Sequence, residues 1–191
     1  LIDMDDAVVA VKDAGGKIRL NQAVNLTAAG AASGGFWGML IGMIFLNDIE
    51  AMTDPNVRKA AAHAIDKQTI INRLLSGYGV AIDTLQTPEY EAYDATIRVP
   101  YDEAAAIAAL AASGFGPDNP VRFKIQTTKG FKPKDYEMVQ AIVGLWRKVG
   151  IEAEIEVYEI AKHYELRAAD QLAPAAFYNW DAQSAHPSMG R

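Results

Sequence analysis

Val121-Arg122-Phe123-Lys124-Ile125-Gln126-Thr127 alternates apolar and polar side chains, the period of a half-buried β-strand. Residues 129–133 read as a loop, after which Met138, Val139, Ile142, Val143, Trp146 and Val149 recur at helical spacing. Gly150 is a natural stop for that helix, since glycine closes a helix in the left-handed conformation at little cost. Ile151, Ala153, Ile155 and Val157 then alternate with glutamates, which predicts a second half-buried strand. A short helix over 162–169 and a strand Ala175-Ala176-Phe177-Tyr178-Asn179-Trp180 complete the run. Strand–helix–strand–helix–strand predicts an α/β fold, a mixed sheet flanked by crossover helices.

Upstream of this unit the sequence predicts helices by their caps. Asp54-Pro55 is an N-cap followed by proline at the first helical position, and Val57, Ala60, Ala61 and Ala64 continue the pattern. Asp66 caps a second helix carrying Ile70, Ile71, Leu74 and Leu75, which stops near Gly77 and Gly79. Residues 78–100 read as loop. Asp102 caps an alanine-rich helix that ends before Gly114.

The first 47 residues read differently. Residues 6–12 and 17–20, separated by Asp13-Ala14-Gly15-Gly16, predict a β-hairpin. No charged residue then occurs between Arg19 and Asp48. Gly30, Gly34, Gly38 and Gly42 fall every fourth position, and on a helix they would form one smooth stripe. The apolar run ending at Leu46 is long enough for a bilayer, which needs about 20 apolar residues. Two readings follow for residues 25–46: a glycine-rich apolar helix that contacts a membrane between Gly30 and Leu46, or a buried glycine-rich element of a core. These differences place a domain division between residues 47 and 48.

Composition narrows the function classes. Of 191 residues, half are hydrophobic and 22% charged, which is globular rather than disordered. The net charge of -6, with lysines and arginines scattered, argues against a nucleic-acid partner. There are no cysteines, so thiolate metal sites and cysteine nucleophiles are excluded. Asp3, Asp5 and Asp6 stand where a secretion signal would be basic, so the first residues do not read as a signal peptide. His63, His163 and His186 lack a metal-binding spacing, and Ser184 lies in no nucleophile elbow. Neither Gly77-x-Gly79 nor Gly114-x-Gly116 completes a dinucleotide loop. The expectation is a non-enzyme with neither cofactor nor metal.

Asp54-Pro55-Asn56-Val57-Arg58-Lys59-Ala60, followed by His63-Ala64-Ile65-Asp66-Lys67, resembles a run of the peptide/nickel class (family 5) of ABC-importer solute-binding proteins. Gly77-Tyr78-Gly79-Val80-Ala81, Ala112-Ser113-Gly114-Phe115 and the Leu145 to Ala153 passage from helix to strand continue the resemblance, as do Tyr178-Asn179-Trp180 and Pro187. The resemblance covers most of residues 54–187. It implies one lobe of a two-lobed protein that closes on a peptide or other small polar solute and delivers it to an ABC permease, in the periplasm or outside the cell. Whole members are much longer, so it also implies that the trap is incomplete in this chain. An unpartnered lobe face would favour self-association or domain swapping.

Ligand candidates follow from the same resemblance. Peptide-binding members place an acidic residue three positions after the strand tryptophan; counted from Trp180, that position is Gln183, with Asp181 nearby. Trp180 offers a stacking surface or plain core packing. Glu159 either faces the cleft or caps a helix. Thr127 offers a hydroxyl or shapes a turn. Residues 2–47 resemble instead a bacterial family of small membrane proteins, which suggests a chimera or a fragment with no evolved activity as the alternative reading.

Overall fold

In the computed structural model, residues 9–12, 18–29, 39–46, 50–77, 79–81, 83, 94–131 and 134–180 are described, with side-chain surroundings among them from Met52 to Ala176. Among the described residues, six strands form one sheet. They are β1 (Val9–Lys12), β2 (Ile18–Ala29), β3 (Met39–Leu46), β4 (Val121–Thr128), β5 (Ile151–Tyr158) and β6 (Ala175–Trp180), in the order β1-β2-β3-β6-β4-β5. Strands β5, β4 and β6 run parallel, and β3 lies antiparallel to β6. The sheet is therefore mixed, as expected.

The helices start where the sequence caps them. Asp54 accepts the Asn56 N–H at the head of α1 (Pro55–His63). Asp66 accepts from Thr69 ahead of α2 (Lys67–Leu74), and Asp102 accepts from Ala105 ahead of α3 (Glu103–Ala112). Each bond satisfies a donor that the first turn leaves unpaired and contributes about 1 kcal/mol. Helix α4 (Asp135–Val149) closes on Gly150 at φ 101°, again as the sequence implies. Helix α5 (Ile160–Ala168) begins two residues earlier than the sequence suggests.

The core lies between the sheet and α4. Met138, Val139, Ile142, Val143, Trp146 and Val149 are all buried on one stripe of α4. They meet Val121, Phe123, Ile125, Ile151 and Ala153 from alternating positions of β4 and β5. Phe123 and Trp146 stack edge to face with ring centroids 5.4 Å apart. Beyond α4, small residues on α1 (Ala60, Ala61) and α3 (Ala106) let those helices pack closely in the same core. The opposite sheet face is polar: Arg122 pairs with Glu152 and Lys124 with Glu156 across β4 and β5.

One expectation is corrected. Residues 39–46 are not helical; they form β3, paired with β2 on one side and β6 on the other. Gly42 stands in that strand opposite Asn25 and Tyr178, while Gly30, Gly34 and Gly38 lie outside the described residues. A continuous apolar run does not separate a buried strand from a buried helix by periodicity alone, and a strand flanked in mid-sheet reads as such a run. No described helix is long and apolar enough to cross a membrane. The hairpin is present as β1 and β2, with a register irregularity between Asn25 and Thr27. The sheet thus crosses the division drawn between residues 47 and 48, because β3 pairs with β6.

Candidate functional site

Parallel strands leave their carboxyl ends on one edge of a sheet, and open α/β sheets bind ligands outside that edge. Here the edge is formed by the ends of β6, β4 and β5. Register pairs Thr127 with Val157 and Thr128 with Tyr158, so β4 and β5 stop level. The last β4–β6 pair is Gln126 with Ala176, so in the same register Thr128 ends level with Tyr178 and β6 continues two residues further, to Trp180. At about 3.3 Å per residue that is roughly 7 Å of additional strand. Trp180 itself lies opposite Leu40 of β3.

The loop after β4 is braced from within. Asp135, the first residue of α4, is only 3% exposed. Its Oδ1 accepts the N–H groups of Gly130 at 2.9 Å and Tyr136 at 2.8 Å. Its Oδ2 accepts the Thr128 hydroxyl at 2.9 Å and the Phe131 N–H at 3.1 Å. A buried carboxylate surrounded by donors at a helix start is favoured by both hydrogen bonding and the helix dipole. Gly130 (φ 80°) and Lys134 (φ 61°) take the left-handed turns that the tight loop requires. The result is a fixed ledge bearing Lys129, whose Nζ lies 5.2 Å from the Tyr136 ring, and Phe131, an aromatic left 38% exposed. A cation and an aromatic on a rigid ledge suit a ligand with an anionic end and an apolar body.

Of the candidates read from the sequence, Thr127, Glu159 and Trp180 stand at the ends of β4, β5 and β6. Thr127 is fully buried and donates its hydroxyl to the Thr128 carbonyl at 3.2 Å, so it shapes the strand end. Glu159 is exposed ahead of α5 and makes no side-chain cap bond. Trp180 ends β6; Asp181 and Gln183 lie outside the described residues. Lys129, Phe131 and Asp135 were not singled out from the sequence. Their signal is positional: a loop at the carboxyl end of a parallel strand, with an aspartate at the following helix start.

Behind Glu159 the polar face is electrostatically matched. The Lys124 ammonium donates to Glu156 at 2.6 Å and holds that carboxyl below its ordinary range. Tyr158 donates its hydroxyl to the same carboxylate at 3.1 Å, which raises the phenol. A groove of about 610 Å³ runs along the other half of β4 and β5, past Arg122, Lys124, Arg147 and Glu154. It lies by the amino-terminal halves of the strands, and Arg122 and Lys124 are already partnered across the sheet. The carboxyl edge is the better candidate on topology.

A mixed sheet with parallel strands ending on a braced loop, flanked by helices, defines an open α/β lobe. The chain belongs to the bacterial extracellular solute-binding proteins, family 5 Middle, whose model matches residues 5–190. That match takes in residues 5–47, so the resemblance of the first segment to a membrane-protein family is not supported. Heme-binding protein A of Haemophilus influenzae is 28% identical over 153 residues, covering 78% of this chain and 28% of the relative. Di/tripeptide-binding protein 1 of Pseudomonas aeruginosa is 28% identical over 133 residues, covering 69% of this chain and 25% of the relative. Among solved structures, the periplasmic binding protein DppA of Helicobacter pylori, in complex with peptide STSA, superposes with a TM-score of 0.69 at 25% identity, over 88% of this chain and 30% of that one. The chain thus spans about a quarter to a third of the length of these relatives.

Proposed function

We propose that this chain supplies one wall of the ligand cleft of a solute-binding protein serving an ABC importer. The ligand rests on the carboxyl edge of β6, β4 and β5, against the ledge of Lys129 and Phe131. The observation that carries the reading is the Asp135 brace, which holds that ledge rigid at the topological binding edge. The ligand class is peptide-like: an anionic end for Lys129, an apolar side chain for Phe131, and main-chain groups for the strand end. The names of the relatives, which include a di/tripeptide-binding and a heme-binding protein, support a ligand with carboxylates and apolar surface. Glu159 lies at the same edge in this reading, and Trp180 and Asp181 are carried as ligand candidates by the family resemblance alone. The opposing wall, the hinge closure and the docking to a permease belong to the whole protein, working in the periplasm or outside the cell.

Gln183 stands where the family resemblance implies an acidic partner for a free amine, so amine recognition is weak here. A heteronuclear NMR titration of the 191-residue chain with a hydrophobic tripeptide and its N-acetylated form tests this. One wall alone gives affinities of about 1 mM, worth about 4 kcal/mol. Similar shifts with both peptides are expected. No shift with either at tens of millimolar, or binding of the free-amine form alone, overturns the reading.

A further inference from the structure

Gln126 of β4 and His163 of α5 form a buried pair on the polar side of the sheet, 1% and 0% exposed. Gln126 Oε1 accepts the N–H of Ala173, in the segment leading into β6, at 3.3 Å. Its amide nitrogen therefore faces His163 Nδ1, at 3.0 Å. An amide nitrogen only donates, so Nδ1 is the bare nitrogen and the ring is neutral with its proton on Nε2. Turning the amide over does not help, because its NH2 would then oppose the Ala173 N–H. One polarity runs through the whole chain of bonds, from Ala173 through Gln126 to His163.

An imidazolium breaks this arrangement. It carries a proton on Nδ1 as well, which would face a donor. The described surroundings favour the neutral ring. Arg167, on the same helix, adds a like charge, and the Tyr164 ring lies edge-on at 6.0 Å. On β4 the charged residue two positions before Gln126 is Lys124, paired with Glu156. On β5, Glu156 stands at the register position opposite Gln126, but Lys124 and Tyr158 already engage it. The β6 sequence, Ala175 to Trp180, has no charged residue.

We propose that His163 is a pH-sensitive latch: neutral, it holds α5 and the entry to β6 against β4 through Gln126, and protonation releases them. Burial and then Arg167 both push the imidazole below its ordinary value, which agrees with this polarity. The released state therefore binds the proton more tightly. The latch contributes fully above the unfolded histidine value of about 6.5 and weakens as pH falls below it. The elements it holds carry Glu159 and Trp180, yet the latch stands or falls without any ligand.

Hydrogen-exchange protection factors of the whole chain, corrected for intrinsic rates, test it between pH 7.5 and 5. Below pH 6.5, protection of the α5 amides should fall by up to about tenfold per unit, the slope of one linked proton. Protection along α4 should hold. Gln126→Glu should reverse the trend in α5, because a carboxylate accepts from both Ala173 and an imidazolium. His163→Gln should flatten it. A pH-independent α5 in the native chain, or a Gln126→Glu variant that behaves like it, overturns the proposal. Imidazole nitrogen shifts give a check that needs no variant: the Nε2–H tautomer at neutral pH supports the latch, and the Nδ1–H tautomer or an imidazolium overturns it.

Discussion

Trp146 donates its indole N–H to the carbonyl of Ala61 at 2.8 Å, joining α4 to the last turn of α1 across the buried core. That carbonyl is among those a helix cannot satisfy from its own backbone. Trp146→Phe keeps most of the apolar volume and leaves the carbonyl unpaired. It should cost about 1–3 kcal/mol, read as a lower urea midpoint of the 191-residue chain. A midpoint unchanged within error would mean that the bond contributes nothing net.

Gly150 is constrained twice. Its φ is 101°, and a Cβ there would lie 2.4 Å from the Gly116 carbonyl carbon. Gly114 also has a positive φ, of 77°, but open space around its added Cβ. Gly150→Ala should destabilise by more than about 2 kcal/mol and Gly114→Ala by only about 1 kcal/mol, strain alone. Thermal unfolding of the two variants side by side checks the order; equal losses would show that the contact with Gly116 relaxes freely.

The Asp135 brace gives a split between stability and binding. Asp135→Ala removes an acceptor serving four donors and should cost about 3 kcal/mol. Thr128→Val removes one of those donors and should cost about 1 kcal/mol. Phe131→Ala should leave stability nearly unchanged, because the ring is partly exposed, yet weaken binding of a hydrophobic peptide. Denaturant titration and peptide titration together separate the two effects. Phe131→Ala binding that matches the native chain would remove that ring from the site.

Much of the α/β unit was legible because its signals are local. Asp54, Asp66 and Asp102 cap within two or three residues of themselves, and Gly150 ends α4 where the helical spacing ends. β6 matches the sequence expectation from Ala175 to Trp180. Residues 39–46 misled because both helix and mid-sheet strand suit an unbroken apolar run, and the glycine stripe favoured the helix. What decides is pairing with β2 and β6, a non-local fact. The Gln126–His163 pair, 37 residues apart, was illegible for the same reason. Thr127 shows the converse: its position at the strand end was legible, but its burial was not.

Glu156 titrates below its ordinary value, chiefly because Lys124 donates to it. Its pairing supports the fold above the ordinary carboxylate range and is lost as pH falls through the lowered value. The pair is largely exposed, so the effect on stability is small and screened by salt. Carboxyl-carbon NMR should find the Glu156 midpoint lowered in the native chain and restored upward in Lys124→Met. Identical midpoints would remove the ion pair as the cause.

The central claim concerns where a ligand rests. A tripeptide carrying a nitroxide spin label, added to the isotope-labelled chain at millimolar concentration, reports that by distance-dependent broadening. The carboxyl-edge reading expects broadening concentrated at Thr128, Lys129, Gly130 and Phe131, with Tyr158, Glu159 and Trp180 next. Broadening centred instead on Arg122, Arg147 and Glu154, with the carboxyl edge untouched, would contradict it.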